Sequence, residues 1–261
     1  MELIQWINDL PVGTGILLTI GGGVFIAMLG TLIVNYYLTP AQLIVNNIVG
    51  GFKYAFLSSV YAGYIGLLLF GVYQKYDDVR SDIIVEINAL TSLDRVAAAF
   101  PQATRTEIRS GLREYARNVA EIEWPQMRRR TLNFGDSPLL DNLYYTYLAI
   151  EPQTNKELSA FQYSLQLLQV VRDQRGNRIR LSFGALTPLL WGVAVVGTVV
   201  SMIFPWFFGG PNVYVPLLMS ALVGAVTMSV FLVILKLSYP FDGEYGILPY
   251  AYFDFAQSSS G

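Results

Sequence analysis

The chain has 261 residues, of which 53% are hydrophobic and only 14% are charged. An ordinary soluble domain carries about 25% charged residues, so this composition excludes a typical soluble enzyme. The sequence has no cysteine and no histidine, which excludes disulfides and thiolate catalysis and removes the commonest metal ligand and general base.

Four long apolar runs follow one another along the chain. They comprise residues 15–37, 54–74, 181–208 and 213–235, and none contains Asp, Glu, Lys or Arg. Each has the length that a bilayer-spanning helix needs, which is roughly 20 residues. We therefore predict an all-α membrane protein with four transmembrane helices in two hairpins. The alternative is that the same segments form four buried helices of a soluble core.

The charges are concentrated between the second and third apolar runs, since 29 of the charged residues lie between Lys75 and Arg180. This region is predicted to be a helical cytoplasmic domain inserted between the two hairpins. The predicted domains are residues 1–75 (first transmembrane hairpin), 76–187 (cytoplasmic domain), 188–237 (second hairpin) and 238–257 (cytoplasmic C-terminal tail).

Basic residues at the ends of the apolar runs predict the orientation. Lys75 and Arg80 follow the second run, and Lys236 follows the fourth. The positive-inside rule then places the charged region and both termini in the cytoplasm of a multi-pass cell-membrane protein. Residues 38–51 and 209–212 would lie on the outer side.

The second span is predicted to be unusually long. No proline occurs between Tyr54 and Phe100, and apolar residues recur at steps of three and four from Val79 to Ala97. We predict that this span continues into the cytoplasm as one helix of about 45 residues.

Three further helix starts are predicted from N-cap signals. They are Thr104 with Glu107, Ser137 with Pro138, and Thr154 with Glu157. Pro125 is predicted to end the helix that Thr104 opens, because proline disrupts a helix interior. A loop is predicted over residues 130–136.

The distribution of charge also bears on function. An enzyme needs titratable groups that converge in a pocket, and a proton-coupled transporter usually places ionisable groups at membrane depth. The predicted spans contain none, so neither class is expected, and the carboxylates of the charged region are interpreted as surface charges. That region has 15 basic and 14 acidic residues, so no nucleic-acid partner is expected despite the basic run at residues 128–130.

One face of the second span is apolar and aromatic. Helical spacing places Phe56, Val60, Tyr64 and Leu67 together on it. If several copies of this helix surrounded an axis, the face would form hydrophobic rings of the kind that gate by dewetting. The alternative is that these residues pack against neighbouring helices.

The order of elements resembles the bestrophins, which have two spans, a cytoplasmic helical insert, two more spans and a long second helix. Gly63-Tyr64 followed by residues 73–76 is similar to the bestrophin pore helix, where a Gly-aromatic pair precedes an aromatic-Gln-Tyr exit. Residues 239–244 look like the Pro-Phe-Gly-acid stretch that follows the last bestrophin span.

A closer resemblance is to the bestrophin-like domain family of bacterial and plant membrane proteins of unknown function. The segments that carry it lie in the charged region and after the fourth span. They are residues 111–116, 123–125, 175–178 with 190–191, and 240–243 with Pro249.

The resemblance implies a pentameric ion channel whose pore is lined by the second helix. It places Phe56, Val60 and Tyr64 where bestrophins have their hydrophobic neck. It also makes Asp242 and Glu244 candidate ligands of a calcium clasp, and no other cofactor is expected. Calcium prefers six to eight oxygen ligands, so two carboxylates would need carbonyls and waters as well. The alternative at this position is a capped helix exit on the membrane surface.

We therefore expect a homo-oligomeric ion channel in the lipid bilayer, with a constriction formed by Phe56, Val60, Tyr64 and Leu67. Lys53 would lie at the outer mouth, where a ring of lysines would raise the local concentration of anions such as chloride. A single lysine at a membrane edge can equally be a snorkelling anchor. Since the spans carry no charge, discrimination among small monovalent ions is expected to be weak.

Two other functions are weighed. The first is a non-conducting membrane scaffold or regulatory protein that binds a partner through its cytoplasmic helices, at Trp124, Pro125 and residues 128–130. The second is a force-transducing proton channel, for which the spans supply only hydroxyls. These are Thr198, Ser201, Thr227 and Ser229, and each is expected to bond its own helix backbone.

Overall fold

The computed structural model describes residues 10–45, 47–132, 137–243 and 246–258, and the regular structure of these residues is entirely helical. In chain order the helices are α1 (Val12–Tyr37), α2 (Pro40–Val45), α3 (Asn47–Val96), α4 (Gln102–Asn118), α5 (Trp124–Arg129), α6 (Pro138–Leu148), α7 (Asn155–Ser182), α8 (Pro188–Ile203), α9 (Tyr214–Ser238) and α10 (Tyr250–Gln257). A π-helical segment, Val119–Glu123, joins α4 to α5, and 3₁₀ turns follow α3 and α8.

Four of these helices are long and apolar enough to cross a membrane. They are α1, α3, α8 together with its 3₁₀ turn, and α9. The predictions of an all-α chain and of four helices able to span a membrane are thereby confirmed. The second of them, α3, has 50 residues and begins at Asn47, before the predicted start.

The described part of residues 38–51, the segment predicted to lie outside the membrane, is largely helical. It contains α2 and the first turn of α3. Residues 47–53 contain no proline and share the low charge of the span that follows, so nothing in them interrupts the helix.

The described chain divides into two compact units. The apolar unit takes in the described residues within Met1–Gln74, Ala185–Ser238 and Asp242–Tyr245. The charged unit takes in those within Lys75–Gly184, Tyr239–Phe241 and Gly246–Gly261.

In the apolar unit, α1 and α9 approach closely because small residues lie where they cross. A Cβ added to Gly224 would lie 3.0 Å from the Cβ of Ala27, and Gly23 packs against the side chain of Met228. Beside this crossing, the buried hydroxyl of Thr31 donates a 2.7 Å hydrogen bond to Ser220 Oγ. Small residues and buried hydroxyl pairs of this kind are typical of helix contacts in membranes.

The charged unit has its own hydrophobic core. Apolar side chains of α3, α4, α6, α7 and α10 meet there, and most are fully buried. They include Leu90, Leu93, Ile108, Leu112, Leu168 and Tyr252. Because Tyr252 belongs to α10, much of the segment predicted as a tail (residues 238–257) contributes to this core.

Two of the three predicted N-caps are confirmed. Ser137 Oγ accepts a hydrogen bond from the backbone N–H of Leu140 at the start of α6. Thr154 Oγ1 accepts one from the N–H of Glu157 at the start of α7. The prediction that Thr104 caps α4 is wrong, because this helix already begins at Gln102 after Pro101. A residue before proline is held extended, so the turn ends at Phe100 and the helix can start at once.

Pro125 does not end the helical path, contrary to the prediction. The N–H of Trp124 donates to Val119 O, five residues back, and Pro125 then falls in the first turn of α5. Proline is tolerated there because a first-turn N–H has no partner within its helix. The path ends instead at Arg130, whose backbone is left-handed with φ at 57°.

Candidate functional site

The predicted pore face of α3 is exposed within the single chain. Phe56, Val60 and Leu67 are 74%, 60% and 76% exposed, and Phe52 one turn earlier is 76% exposed. These positions lie on one side of a helix with 3.6 residues per turn. A Cβ added to Gly63, on the same side, would have no described atom within 4 Å apart from the adjoining residues and backbone of its own helix. Most of this face is therefore exposed in the single chain.

Tyr64 differs from the other three residues of the predicted constriction. Its hydroxyl donates a 2.8 Å hydrogen bond to Leu190 O at the start of α8, and its ring is partly buried. Phe56, Val60 and Tyr64 line a groove with α8, whereas Leu67 does not contribute to that groove. The structure thus brings three of the four residues into one surface and ties one of them to α8.

A second tyrosine, which the sequence analysis did not single out, holds α3 against α8. The hydroxyl of Tyr61 lies 2.6 Å from Thr198 Oγ1 and donates to Ala194 O at 3.0 Å. The Tyr61 ring covers Gly197, where a Cβ would overlap it. Thr198 therefore bonds across helices, contrary to the prediction. Ser229 bonds its own helix at Ala225 O, as predicted.

Lys53, the candidate outer-mouth residue, lies on α3 three residues before Phe56, and its side chain is exposed. It is the first charged residue on α3, and the next is Lys75. The intervening part of the helix presents only uncharged side chains to whatever surrounds it.

The charged unit contains a buried ionic cluster, which we define as Glu86, Glu123, Arg175 and Arg178. Arg178 contacts Glu86 through Nε at 3.2 Å and Glu123 through Nη2 at 3.2 Å. Arg175 Nε donates to Glu123 Oε1 at 2.8 Å. All four residues are buried, and Glu86 and Arg178 have no exposed surface. Two carboxylates thus neutralise two guanidinium groups in the core.

Two tyrosines complete the hydrogen bonding of Glu86. Tyr115 of α4 donates to Oε1 at 2.8 Å, and Tyr252 of α10 donates to Oε2 at 2.7 Å. Burial and the nearby carboxylate raise the pKa of Tyr115 well above its ordinary value, so this residue stays a donor. Burial acts to lower the pKa of Arg178, but Glu86 and its other acidic neighbours outweigh burial and raise that pKa, so the charge is retained.

Residues 21–252 match the family model described as a bestrophin-like domain. The chain belongs to the bestrophin-like family. The match runs from α1 into α10, so it includes both the exposed face of α3 and the residues of the ionic cluster.

Solved structures with the same fold include bacterial bestrophin homologues. A point mutant of a bacterial bestrophin homologue from Klebsiella pneumoniae has a TM-score of 0.70 at 14% identity, covering 92% of this chain and 97% of that one. A second point mutant of the Klebsiella pneumoniae homologue has a TM-score of 0.67 at 14% identity, covering 93% and 99%. At this identity the likeness shows the fold alone. No curated protein matches the chain.

The bestrophin-like segments of the charged region coincide with the ionic cluster. Glu123 lies in one of them and Arg175 and Arg178 in another, so the family motif was an available signal for three of the four residues. Glu86 had a weaker signal, since it lies on the buried stripe of α3 between Ile83 and Leu90. The interpretation of these carboxylates as surface charges is wrong for Glu86 and Glu123, because both are paired with arginine.

Trp124 of the bestrophin-like motif is a core residue and not a contact surface for a partner. It is 3% exposed, its Nε1 donates to Ile247 O at 3.0 Å, and its ring meets Phe241 edge-on at 5.2 Å. The proposed scaffold surface therefore loses its aromatic anchor. Arg128 and Arg129 stay exposed, while Arg130 stacks on the Tyr239 ring at 4.2 Å.

The candidate calcium ligands are only partly described. Asp242 is 6% exposed and follows Phe241, and Glu244 lies outside the described residues. Gly243 between them has φ at 69°, a left-handed backbone that favours glycine. Among the residues that the structure describes, no group of three or more acidic side chains could hold a metal ion. The calcium clasp stays a prediction from the resemblance.

Proposed function

We propose that this bestrophin-like protein is an ion channel formed by several copies of the chain, with α3 of each copy facing a central axis. The observation that supports the proposal is the exposed face of α3. Along this face Phe52, Phe56, Val60 and Leu67 are 60–76% exposed in the single chain. Closed symmetry around one axis would bring identical faces together, and the resemblance to bestrophins favours five copies.

The chemistry of that face fits a hydrophobic constriction. Between Lys53 and Lys75 it offers rings of aromatic and aliphatic groups and no charge. Such a pore gates by dewetting and discriminates weakly among small monovalent ions. A ring of Lys53 side chains at the outer mouth would favour anions by raising their local concentration. We propose a channel rather than an enzyme for this reason.

The orientation is part of the proposal. We place the four long helices in the cell membrane as a multi-pass assembly, with the charged unit as a cytoplasmic domain and both termini cytoplasmic. Lys75, Arg80 and Lys236 support it, since positive charge next to spans is retained on the cytoplasmic side.

The test is a recording from purified protein in planar bilayers with asymmetric potassium chloride. Wild type is compared with Phe56→Ala, which widens the proposed constriction. Phe25→Ala is the matched control, because Phe25 is 66% exposed on α1, another candidate span. We expect discrete currents in all three proteins and a changed conductance or open probability in Phe56→Ala alone. The reversal potential then gives the preference between anions and cations.

The non-conducting scaffold is the competing outcome. Silence of wild type with and without calcium, from protein shown to be folded and oligomeric, would favour it. Equal effects of Phe56→Ala and Phe25→Ala would contradict a pore on α3 while leaving conduction itself established.

A further inference from the structure

Helix α4 carries a row of four arginines, which we call the arginine stripe. They are Arg105, Arg109, Arg113 and Arg117, spaced four residues apart. Residues four apart lie on one side of an α-helix, so the row extends over about 18 Å. All four contribute to one surface groove on the charged unit.

Basic residues outnumber acidic ones in the groove, which contains four arginines and one glutamate of α4. Helical geometry places Glu107 on the opposite flank, whereas Glu114 lines the same groove as the arginines, three residues before Arg117. Glu107 accepts a 3.3 Å hydrogen bond from Thr146 of α6. The buried face of α4, with Ile108 and Leu112, separates the two flanks on the core side. The lining of the groove therefore carries an excess of positive charge.

Two arginines of the stripe are held in place by the last turn of α3 and the 3₁₀ turn that follows it. Arg105 Nη2 donates to Ala98 O at 3.1 Å and to Phe100 O at 3.4 Å. Carbonyl groups orient the guanidinium but leave its charge uncompensated. Arg109 Nε lies 3.3 Å from Asp94 Oδ1. This fixed end of the row reduces the side-chain entropy that a bound anion must remove.

The rest of the groove is polar and includes the carboxylate of Glu114. Gln102, Thr106 and Ser110 supply amide and hydroxyl donors between the arginines, and no apolar side chain among the described residues lines it. A peptide partner would normally require an apolar or aromatic anchor. Guanidinium groups bind phosphate through paired hydrogen bonds, and hydroxyl and amide groups add further donors.

We propose that the arginine stripe is a binding site for a soluble anion that carries two or more linked phosphate groups. Such an anion matches several arginines in a row, whereas a single small anion engages one or two. The site is independent of the pore, so this inference does not rest on the proposed channel function.

The position of the stripe favours a soluble ligand over a lipid headgroup. The part of α3 from Lys75 to Val96 belongs to the charged unit and is about 32 Å long at 1.5 Å per residue. Arg105 bonds Ala98 just beyond the far end of this segment, and Tyr115, between Arg113 and Arg117, bonds Glu86, which lies about 16 Å along the helix from Lys75. A headgroup layer is only about 5–8 Å thick.

The experiment is calorimetric titration of the full chain, in nanodiscs of phosphatidylcholine alone, with sodium tripolyphosphate. We expect binding that weakens as sodium chloride is raised. In the double variant Arg113→Gln with Arg117→Gln, the affinity should fall about tenfold, because two charge-assisted contacts are lost. The double variant Arg113→Lys with Arg117→Lys should recover only part of it, since lysine cannot make the paired contact.

The matched control is Arg128→Gln with Arg129→Gln, which removes the same charge from exposed positions on α5. Its affinity should stay within about twofold of wild type. Equal losses in both double variants, or equally tight binding of a decaglutamate peptide, would overturn the proposal by showing recognition of net charge alone. Absence of tripolyphosphate binding would also overturn it. If phosphatidylglycerol nanodiscs then stabilised wild type more than Arg113→Gln with Arg117→Gln, the ligand would be a lipid headgroup.

Discussion

Tyr252 donates a 2.7 Å hydrogen bond to Glu86 Oε2, although 166 residues separate the two in sequence. This bond joins α10, the last helix, to α3 inside the charged unit. Glu86 also accepts hydrogen bonds from Tyr115 and Arg178, so α3, α4, α7 and α10 meet at one buried carboxylate. A charge at the centre of a core is stable only while every partner is present, because an unpaired buried ion is costly.

Glu86→Ala is therefore expected to destabilise the charged unit strongly. The substitution leaves Arg178 buried with only Glu123 as an ionic partner, and breaking such a pair costs about 3–5 kcal/mol. Thermal unfolding followed by circular dichroism should show a lower Tm. Glu121→Ala is the matched control, since Glu121 is an exposed carboxylate on the π-helical segment, and its Tm should be almost unchanged. Equal Tm values for the two variants would contradict the role given to the cluster.

Much of the fold follows from local signals in the sequence. The four candidate spans are predictable because long uncharged runs have few alternatives, and side-chain capping by Ser137 and Thr154 marks the starts of their helices. The start of α4 was misplaced because Pro101 competes with the Thr104 signal. The prediction that Pro125 ends the helix failed for a related reason, since the π-helical segment before it cannot be recognised from residue types.

The candidate sites were less predictable than the fold. The apolar face of α3 follows from helical spacing, but the bond from Tyr64 to Leu190 depends on how two distant segments pack. The ionic cluster was missed because the sequence does not distinguish a glutamate exposed to solvent from one that is buried and paired with an arginine. Its members are up to 92 residues apart, as Glu86 and Arg178 are, so only tertiary structure unites them.

Gly197→Ala tests the contact between α3 and α8. A Cβ at this position would overlap the Tyr61 ring, so the tyrosine must shift and lose its bonds to Ala194 and Thr198. Overpacking of this kind costs about 1–3 kcal/mol, and a lower Tm of the protein in detergent is expected.

Gly192→Ala is the matched control for that change. Gly192 lies on the same helix and has no other atom within 4 Å of the position of a new Cβ. Alanine should there raise the Tm slightly, because it favours a helix over glycine by about 0.5–1 kcal/mol. The prediction fails if the two substitutions shift the Tm in the same direction.

The buried Tyr147 is expected to lower the free energy of unfolding at high pH. Burial raises its pKa from 10.0 to about 12, while in the unfolded chain the pKa stays near 10. The unfolded state therefore loses its proton first, and the stability that this group contributes below pH 10 is lost as the pH rises toward 12. The slope is at most about 1.4 kcal/mol per pH unit for one group.

Tyr147→Phe should make the free energy of unfolding less dependent on pH in that window. Denaturant titrations at pH 9, 10 and 11 measure the slope. Tyr145→Phe is the control, because Tyr145 is 69% exposed on the same helix, and its pH dependence should match wild type. The same slope in all three proteins would exclude Tyr147 as the source.

Lys53→Glu tests the outer mouth of the proposed pore. Reversing the charge of each Lys53 would turn a ring that attracts anions into one that attracts cations, and the uncharged face beyond it offers nothing to compensate. The reversal potential in asymmetric potassium chloride should therefore move toward that for potassium, and the effect should shrink at high salt as the ring is screened. Lys156→Glu makes the same charge change on an exposed residue of α7 and should leave the reversal potential where it is. If Lys53→Glu also leaves it unchanged while currents persist, Lys53 is an anchor at the membrane edge and not part of the conduction path.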